Sequence, residues 1–248
     1  MLLLDKKVGE TPLEFLERIR REKPDLAQET LSYAGRLDPM AEGLMLVLVG
    51  SDENKKENRE KFLSHDKEYI AMFLVGMKTD TGDCLGLITK SEALPGSMAD
   101  TNIKSQIEAE VGALKSITTQ IYPWFSGQTV DGVKLFDHFK AGNTGIERPI
   151  QKVEIKEVEL RDFWPQNTED IKNYIFDSIS KVHGDFRQEE IVAGWRDFFG
   201  KHAAEEKILT FEIRIIVSSG TFIRALSENL NFPATLLKLK RTKIFIDK

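Results

Sequence analysis

The segment with the most regular pattern is residues 207–217, KILTFEIRIIV. Its apolar residues recur at every second position, and polar residues stand between them. This alternation is typical of a β-strand that buries one face. Shorter apolar runs predict further strands, and these lie at residues 1–5, 44–50, 67–76 and 87–90.

The first helix is predicted at residues 10–25, ETPLEFLERIRREKPD. Thr11 can cap this helix, Pro12 suits its first turn, and Glu14 completes a Thr-x-x-Glu capping box. Apolar residues at helical spacing predict two more helices, at residues 100–116 and 133–143.

Two amphipathic helices are predicted in residues 167–206, ahead of the alternating strand and within an inserted segment at about residues 162–207. Ile175 belongs to the apolar stripe of the first, and Trp195 belongs to that of the second. They predict a helical hairpin inserted between two strands of a sheet. Because strands and helices are mixed rather than strictly alternating, the pattern predicts an α+β (mixed α/β) fold. We expect a single domain over residues 1–248 that carries this insertion.

Composition narrows the class of protein. The chain has 248 residues, of which 41% are hydrophobic, and this is enough to bury the core of one large domain. Its net charge of −5 argues against a molecule that is basic throughout, although one basic face can still bind nucleic acid. Cys84 is the single cysteine, so we expect no disulfide framework and a cytoplasmic protein. The longest apolar run, LMLVLVG, is too short to span a bilayer, so no membrane association is expected.

Asp38 lies in the turn GRLDPM, directly before the apolar run at residues 44–50. An ordinary turn residue or a helix N-cap would explain this aspartate. Alternatively, it is a half-buried carboxylate that needs a partner, and Arg36 and Arg224 are the candidates. Arg224 stands among apolar residues in SSGTFIRALSENL. It either snorkels to the surface or reaches inward to form a bidentate pair with a carboxylate.

Other candidate residues lie in the middle of the chain. Tyr69 opens the predicted strand at residues 67–76, where core packing or stacking on an extruded base would suit its ring. Asp80 and Asp83 lie in KTDTGDCLG and fit turn chemistry, because the other ligands of a calcium loop are missing. The four histidines show no ligand spacing, so we expect no metal site.

Aromatic and basic residues are interleaved in QIYPWFSGQTVDGVKLFDHFKAG, residues 120–142. The mixture fits either a loop packed on a helix or a surface that stacks on bases and contacts phosphates. The C-terminal LLKLKRTKIFIDK is a basic strand, which protects a sheet edge or forms a patch for a nucleic-acid backbone. Phosphate contacts would then fall on Lys134, Lys140, Arg148, Lys240 and Arg241.

Taken in order, these segments resemble the TruB family of pseudouridine synthases, which isomerise uridine in tRNA, and its guided relatives that act on rRNA. GRLDPMAEGLMLVLVG resembles the family's Gly-x-Leu-Asp-Pro segment and the apolar run that follows it. KEYIAMFLVGMKTDTGDCLGLI resembles its Lys-x-Tyr strand and Thr-Asp-Thr-x-Asp turn. Further likenesses are carried by YPWFSGQTVDGVKLFDHFKAG, SSGTFIRALSENL and LKRTK. Several motifs in a fixed order are a specific signal, and they cover nearly the whole chain apart from about residues 162 to 207.

The resemblance implies a fold and a set of roles. The fold would be a mixed, mostly antiparallel central sheet flanked by helices, with the active-site cleft across its middle. Asp38 would be the catalytic aspartate and Arg224 its partner, while Tyr69 would stack on the flipped uracil and assist proton transfer. Leu226 would form an apolar wall of the pocket. The family uses no metal and no organic cofactor, and the expected substrate is the T-loop uridine at position 55 of tRNA.

The chain also departs from the family pattern. Tyr33 stands where the family carries a histidine beside the flipped base, and a tyrosine can still stack there. The small C-terminal RNA-binding domain called PUA, which family members commonly carry, is expected to be absent. Besides Leu226, the residues expected to contact RNA are Tyr33, Arg36, Asp80, Lys134, Lys140 and Arg241.

Three functions remain open from the sequence. The first is an RNA uridine isomerase that acts on tRNA without helpers. The second is a non-catalytic RNA-binding or RNA-folding protein of the same fold, which Tyr33 and the absent domain would favour. The third is a guided rRNA enzyme that needs partner proteins, which the sequence does not identify. The insertion would extend the RNA-binding surface, bind a partner protein or thicken the fold.

Overall fold

The computed structural model describes residues 1–92, 101–203 and 206–246. Within these ranges the α-helices are α1 Pro12–Glu22, α2 Gly50–Glu53, α3 Lys56–Leu63, α4 Thr101–Ala113, α5 Leu135–Lys140, α6 Thr168–Ser180 and α7 Gln188–Gly200. Shorter 3-10 helices lie at Pro24–Leu26, Leu114–Ser116 and Ile223–Asn229.

The strands of the described ranges form one large sheet and three small two-stranded sheets. They are β1 Leu2–Lys6, β2 Leu31–Ala34, β3 Ala41–Val49, β4 Asp66–Val75, β5 Met77–Thr79, β6 Ile88–Ser91, β7 Thr119–Ile121, β8 Thr129–Val130, β9 Val133–Lys134, β10 Ile150–Lys152, β11 Ile155–Asn167, β12 Lys207–Val217 and β13 Ala234–Phe245. The predicted strand at residues 207–217 is therefore confirmed with its bounds.

The large sheet has seven strands in the order β1-β3-β13-β4-β12-β11, and β2 also pairs with β3. β13 and β3 run parallel, while the other neighbours in this sheet run antiparallel. The α+β prediction of a mixed, mostly antiparallel central sheet with flanking helices is confirmed.

One face of this sheet packs against α1 and α4. Phe15 and Ile19 of α1, together with Ile107 of α4, belong to one buried cluster with strand residues such as Phe211, and we call this cluster the main core. The start of α1 is fixed by the predicted capping box. The Glu14 carboxylate accepts from the Thr11 amide at 2.8 Å, and the Thr11 hydroxyl accepts from the Glu14 amide at 3.3 Å.

The opposite face of the sheet packs against α6 and α7, which form the predicted helical hairpin. β4 serves both faces, because Phe73 belongs to the main core while its neighbour Leu74 contacts the cluster around Trp195. Trp195 is fully buried, and its indole N–H donates to the carbonyl of Cys84 at 3.1 Å. The hairpin is therefore a covering layer of the sheet, as one of the three alternatives left open by the sequence requires.

The first part of the inserted segment is strand rather than helix. β11 pairs with β12 as far as Asn167, so residues 162–167 belong to the strand, and α6 begins at Thr168, in agreement with the helices predicted from residue 167 onward. Pro165 does not end the strand, because β11 is the last strand of the sheet order. An edge strand tolerates proline, whose missing N–H can face away from the ladder.

The turn of residues 35–40 connects β2 to β3 and carries Asp38 at one end of the sheet. β3 then passes very close to β13, since a Cβ added at Gly43 would lie 2.3 Å from the carbonyl oxygen of Arg241. Gly43 also has a φ of +105°, which side-chain-bearing residues rarely adopt. Glycine at this position therefore allows the parallel pairing that brings Arg241 beneath the turn.

Two buried cations fasten this turn to the sheet. Arg241 is 1% exposed and donates to the carbonyls of Leu44 at 2.5 Å and Gly35 at 3.2 Å. Lys6 is equally buried and donates to the carbonyl of Ala41 at 2.6 Å. Arg241 therefore does not belong to the exposed phosphate-binding face expected from the sequence, because its guanidinium is committed to main-chain oxygens inside the protein.

Replacing Lys6 with Met should remove part of the pH dependence of stability. Burial lowers the pKa of Lys6 from 10.5 to about 8, so between these values the unfolded chain holds a proton that the folded chain has lost. The free energy of unfolding of the parent protein should therefore rise with pH in this window, and Lys6→Met should flatten the rise by up to about 1.4 kcal/mol per pH unit.

Urea unfolding at several pH values from 7 to 10 measures this slope. Lys7→Met is the matched control, because Lys7 is the exposed neighbour and its replacement should leave the slope of the parent. Equal slopes for the parent and Lys6→Met would contradict the assignment of Lys6 as a buried titrating group.

Candidate active site

Asp38 and Arg224 form an ion pair, although 186 residues separate them in the chain. The Nε atom of Arg224 donates to Oδ2 of Asp38 at 2.8 Å. The Arg224 side chain is 4% exposed and that of Asp38 is 41% exposed, so the carboxylate lies where a buried cation meets solvent. The prediction that Asp38 is half-buried and paired is confirmed, and its partner is Arg224 rather than Arg36.

The other nitrogens of the Arg224 guanidinium bind main-chain oxygens. Nη1 donates to the carbonyl of Thr81 at 2.6 Å, and Nη2 donates to the carbonyl of Phe125 at 2.7 Å. The prediction of a bidentate pair is wrong, because both terminal nitrogens already have these partners. One guanidinium thus joins the Asp38 turn, the loop between β5 and β6, and the segment that precedes β8.

Neighbouring carboxylates stabilise the charged form of Arg224. Burial alone would lower the pKa of Arg224, but the carboxylates of Asp38 and Asp83 raise it above its ordinary value. The close approach of the loop depends on Gly82, where an added Cβ would lie 2.7 Å from the Arg224 carbonyl oxygen. Arg224 therefore remains a fixed cation beside Asp38.

Asp83 is a second carboxylate of this site. It is buried, and its Oδ1 accepts from the Thr81 hydroxyl at 2.8 Å and from the Leu85 amide at 2.9 Å. Burial raises the pKa of Asp83 to about 6, although the charge of Arg224 acts in the opposite direction. Sequence reasoning treated Asp83 as a turn residue. Its place in TDTGD, next to the predicted strands, was the only signal of a larger role.

A small cavity opens beside the two carboxylates. Asp38 and Asp83 form its polar part, and its remaining lining is mostly apolar, from Met40, Ala41, Leu236, Leu237 and Leu239. Leu226 was the residue expected to form the apolar wall. It has no exposed surface and packs inside the main core, so it does not line the cavity.

Asp80 is not a free carboxylate. It accepts two hydrogen bonds from Arg187, at 2.7 Å from Nη1 and at 3.2 Å from Nη2, and one from the Leu87 amide at 2.9 Å. Both side chains of the pair are largely buried. The expectation that Asp80 contacts RNA is therefore replaced by a structural ion pair. Arg187, which lies in the turn between α6 and α7, was not a candidate in the sequence.

Tyr69 lies on β4 and is connected to the Asp38 turn through Arg241. Its ring packs in the main core with 6% of the residue exposed, and its hydroxyl oxygen lies 3.5 Å from Nη1 of Arg241. Arg241 in turn donates to the Gly35 carbonyl of the turn. Tyr33, on β2, is partly buried and also packs against the main core. Both tyrosines therefore stand close to the turn while serving the core.

The surface beside the site carries the remaining expected contacts. Lys134 is exposed at the start of α5, whereas Lys140, at the end of this helix, forms an ion pair with Asp185 at 2.8 Å. Arg36 is exposed, and its guanidinium lies against the backbone of Gly127, because a Cβ there would approach Nη1 to 2.6 Å. Of these three cations, Lys134 and Arg36 face solvent, and Lys140 is shared with the helical hairpin.

Within residues 1–92, 101–203 and 206–246, no group of three or more His, Cys, Asp or Glu side chains is placed to hold a metal ion. In the same part of the chain, no helix has the length and apolar character that crossing a membrane requires.

Among solved structures, the chain is similar to one described as a crystal structure of a Cbf5-Nop10-Gar1 complex. The TM-score is 0.51 at 15% sequence identity, and the match covers 98% of this chain and 48% of that chain. At this level of identity the likeness concerns the fold alone, and it agrees with the mixed sheet and helices described above.

Sequence comparison gives a more specific result. A relative from Endomicrobium trichonymphae named tRNA pseudouridine synthase B is 29% identical, with 99% of this chain and 85% of the relative covered. A protein of the same name from Oceanobacillus iheyensis is 26% identical, and the chain spans 64% of its length. The model of the TruB family pseudouridylate synthase (N terminal domain) matches residues 23–176, which is more than half of the chain. The chain belongs to the TruB family of pseudouridylate synthases.

Proposed function

We propose that this chain is a tRNA pseudouridine synthase that converts the T-loop uridine at position 55 to pseudouridine. The ion pair between Arg224 and Asp38 carries the proposal, since it places a charged carboxylate at the mouth of a small cavity. The names of the relatives support tRNA as the substrate. We also propose a cytoplasmic location, which a tRNA substrate supports.

The reaction requires a carboxylate of this kind. The glycosidic C–N bond of uridine breaks, the uracil turns, and a C–C bond forms between C5 of the base and C1′ of the ribose. An ionised Asp38 can attack C1′ as a nucleophile or take part in removal of the C2′ proton. Both routes need a charged carboxylate, and Asp38 is held beside the fixed cation of Arg224.

The partial exposure of Asp38 suits a substrate that arrives from outside. A T-loop uridine lies within folded RNA, so it must be turned out of its stack before the ribose can reach Asp38. We propose that Tyr69 and Tyr33, which are connected to the turn through Arg241 and through β2, contact the nucleotide, and that the exposed Lys134 and Arg36 contact phosphates.

The arrangement favours catalysis over a purely RNA-binding role. A binding protein has no need for a carboxylate paired with an arginine that is buried and bound on three sides. We further propose that residues 1–248 act as one catalytic domain, in which the helical hairpin of α6 and α7 is the insertion. The match to a Cbf5 complex concerns the fold, so the guided rRNA activity has no separate support.

The Asp38→Asn protein should bind tRNA normally and form no pseudouridine. The amide lacks the negative charge that both routes require, so the rate should fall by on the order of 10,000-fold or more. Purified protein alone is incubated with a tRNA transcript labelled with tritium at C5 of uridine. Formation of the new C–C bond displaces this hydrogen, so tritium released to water measures the reaction.

Two controls sharpen this test. Asp25→Asn changes an exposed aspartate in the short 3-10 helix that follows α1, and it should keep the parent rate. A transcript with cytidine at position 55 should release no tritium. Full activity of Asp38→Asn would overturn the proposed role of Asp38, and an inactive parent protein on this transcript would overturn the proposed function without helpers.

Arg224→Lys should slow the reaction while leaving tRNA affinity near that of the parent. Lysine keeps the charge but cannot reach Asp38, Thr81 and Phe125 at once with a planar fork, so the single-turnover rate should fall about 100-fold. Affinity should hold because Arg224 is almost fully buried. Arg214→Lys, which alters an ion-paired arginine on β12, is the matched control and should react at the parent rate. A parent-like rate for Arg224→Lys would remove the case for the three-way contact.

A further inference from the structure

Arg187 lies in the turn of the helical hairpin, directly before α7, and it faces the candidate active site. Its guanidinium is largely buried and makes two kinds of contact there. The first is the pair of hydrogen bonds to the Asp80 carboxylate, at 2.7 and 3.2 Å. The second is stacking on the ring of Phe125, with 4.5 Å between the guanidinium carbon and the ring centroid.

These two contacts fall on the segments that hold Arg224. Asp80 immediately precedes Thr81, whose carbonyl accepts from Nη1 of Arg224 at 2.6 Å. The carbonyl of Phe125 accepts from Nη2 of Arg224 at 2.7 Å. Arg187 and Arg224 therefore bind the same two segments. Arg187 contacts the side chains of Asp80 and Phe125, and Arg224 contacts the carbonyls of Thr81 and Phe125.

Two other contacts keep the hairpin in place for this purpose. The fully buried Trp195 of α7 donates to the carbonyl of Cys84, in the loop that also carries Asp83. The exposed pair of Lys140 and Asp185 connects α5 to the same hairpin turn at 2.8 Å. Arg187 thus projects from a support that is anchored independently of its own two contacts.

We propose that Arg187 is a positioning residue for the reaction, supplied by the helical hairpin. It clamps the Asp80–Thr81 loop to Phe125, so that the two carbonyls hold the Arg224 fork and the fork presents Nε to Asp38. This role rests on the proposed function, because Asp38 is the group whose placement it serves. Arg187 itself does not contact the reacting atoms.

Removing this clamp should affect turnover more than binding. In Arg187→Ala the carbonyls of Thr81 and Phe125 lose their common support, and a small displacement of Asp38 is enough to lower kcat by about 100-fold. The KM for tRNA should remain within about threefold of the parent value, because an interaction that acts only on the chemical step changes kcat and kcat/KM together. Arg187→Lys should recover part of the loss, since it restores a charge but not the fork or the stacking.

A matched control separates positioning from general damage to the hairpin. Arg196 lies on α7 and stacks on Phe176 within the hairpin, with 6.0 Å between its guanidinium carbon and the ring centroid. Arg196→Ala should therefore keep the parent kcat. Asp80→Asn should resemble Arg187→Ala, and the double variant should be no slower than the slower single variant, because both changes break one link.

Hydrogen exchange supplies a readout that does not depend on activity. The amide of Leu87 donates to Asp80, so loss of Arg187 should speed exchange in peptides covering residues 79–87 and 122–128, and Arg196→Ala should not. An active parent with a parent-like kcat in Arg187→Ala would overturn the inference while the proposed function stands. An inactive parent would overturn the proposed function, and unchanged exchange in both peptides would overturn the clamp itself.

Discussion

The buried guanidinium of Arg224 is the interaction on which the site depends. A cation removed from water is strongly destabilising unless its charge and its donors find partners, and Arg224 finds one carboxylate and two carbonyls. These partners come from three separate segments, so the cation can be satisfied only when all three are in place. The position of Asp38 is therefore a consequence of how the whole region folds. Of the two carboxylates described at the site, Asp38 faces solvent and Asp83 is buried.

The turn that carries Asp38 is likewise held by buried cations, which fasten it to the sheet. Arg241 and Lys6 donate to main-chain oxygens on either side of Asp38, and neither has significant exposed surface. Such donors fix the conformation of a turn whose backbone forms no regular hydrogen-bond ladder. Burial lowers the pKa of Lys6 to about 8, and the charges of Glu10 and, to a smaller extent, Asp38 counteract the shift. The Asp38 carboxylate thus contributes to keeping its own support protonated at neutral pH.

The sequence predicts well what depends on neighbours in the chain. The alternation in β12 and the capping box of α1 are local patterns, and both match the structure. The family motifs also identify Asp38 and Arg224 correctly as a pair. The sequence could not predict which atoms accept from the three donor nitrogens of Arg224. Two of these acceptors are main-chain carbonyls, and every residue has one. Arg241 was misassigned for a related reason, since a basic residue in a strand gives no sign of which oxygens surround it.

Arg187 escapes sequence reasoning for a further reason, namely that it lies in a segment outside the family motifs. Its hairpin covers the second face of the sheet, and an apolar stripe is enough to predict that role. Nothing in that stripe indicates that the turn of the hairpin reaches Asp80 and Phe125. Since the hairpin contributes both to the core and to the shell around Arg224, packing around Trp195 and the geometry of the Asp38 carboxylate are coupled. A segment that covers one face of the sheet can in this way also help to orient the proposed catalytic carboxylate.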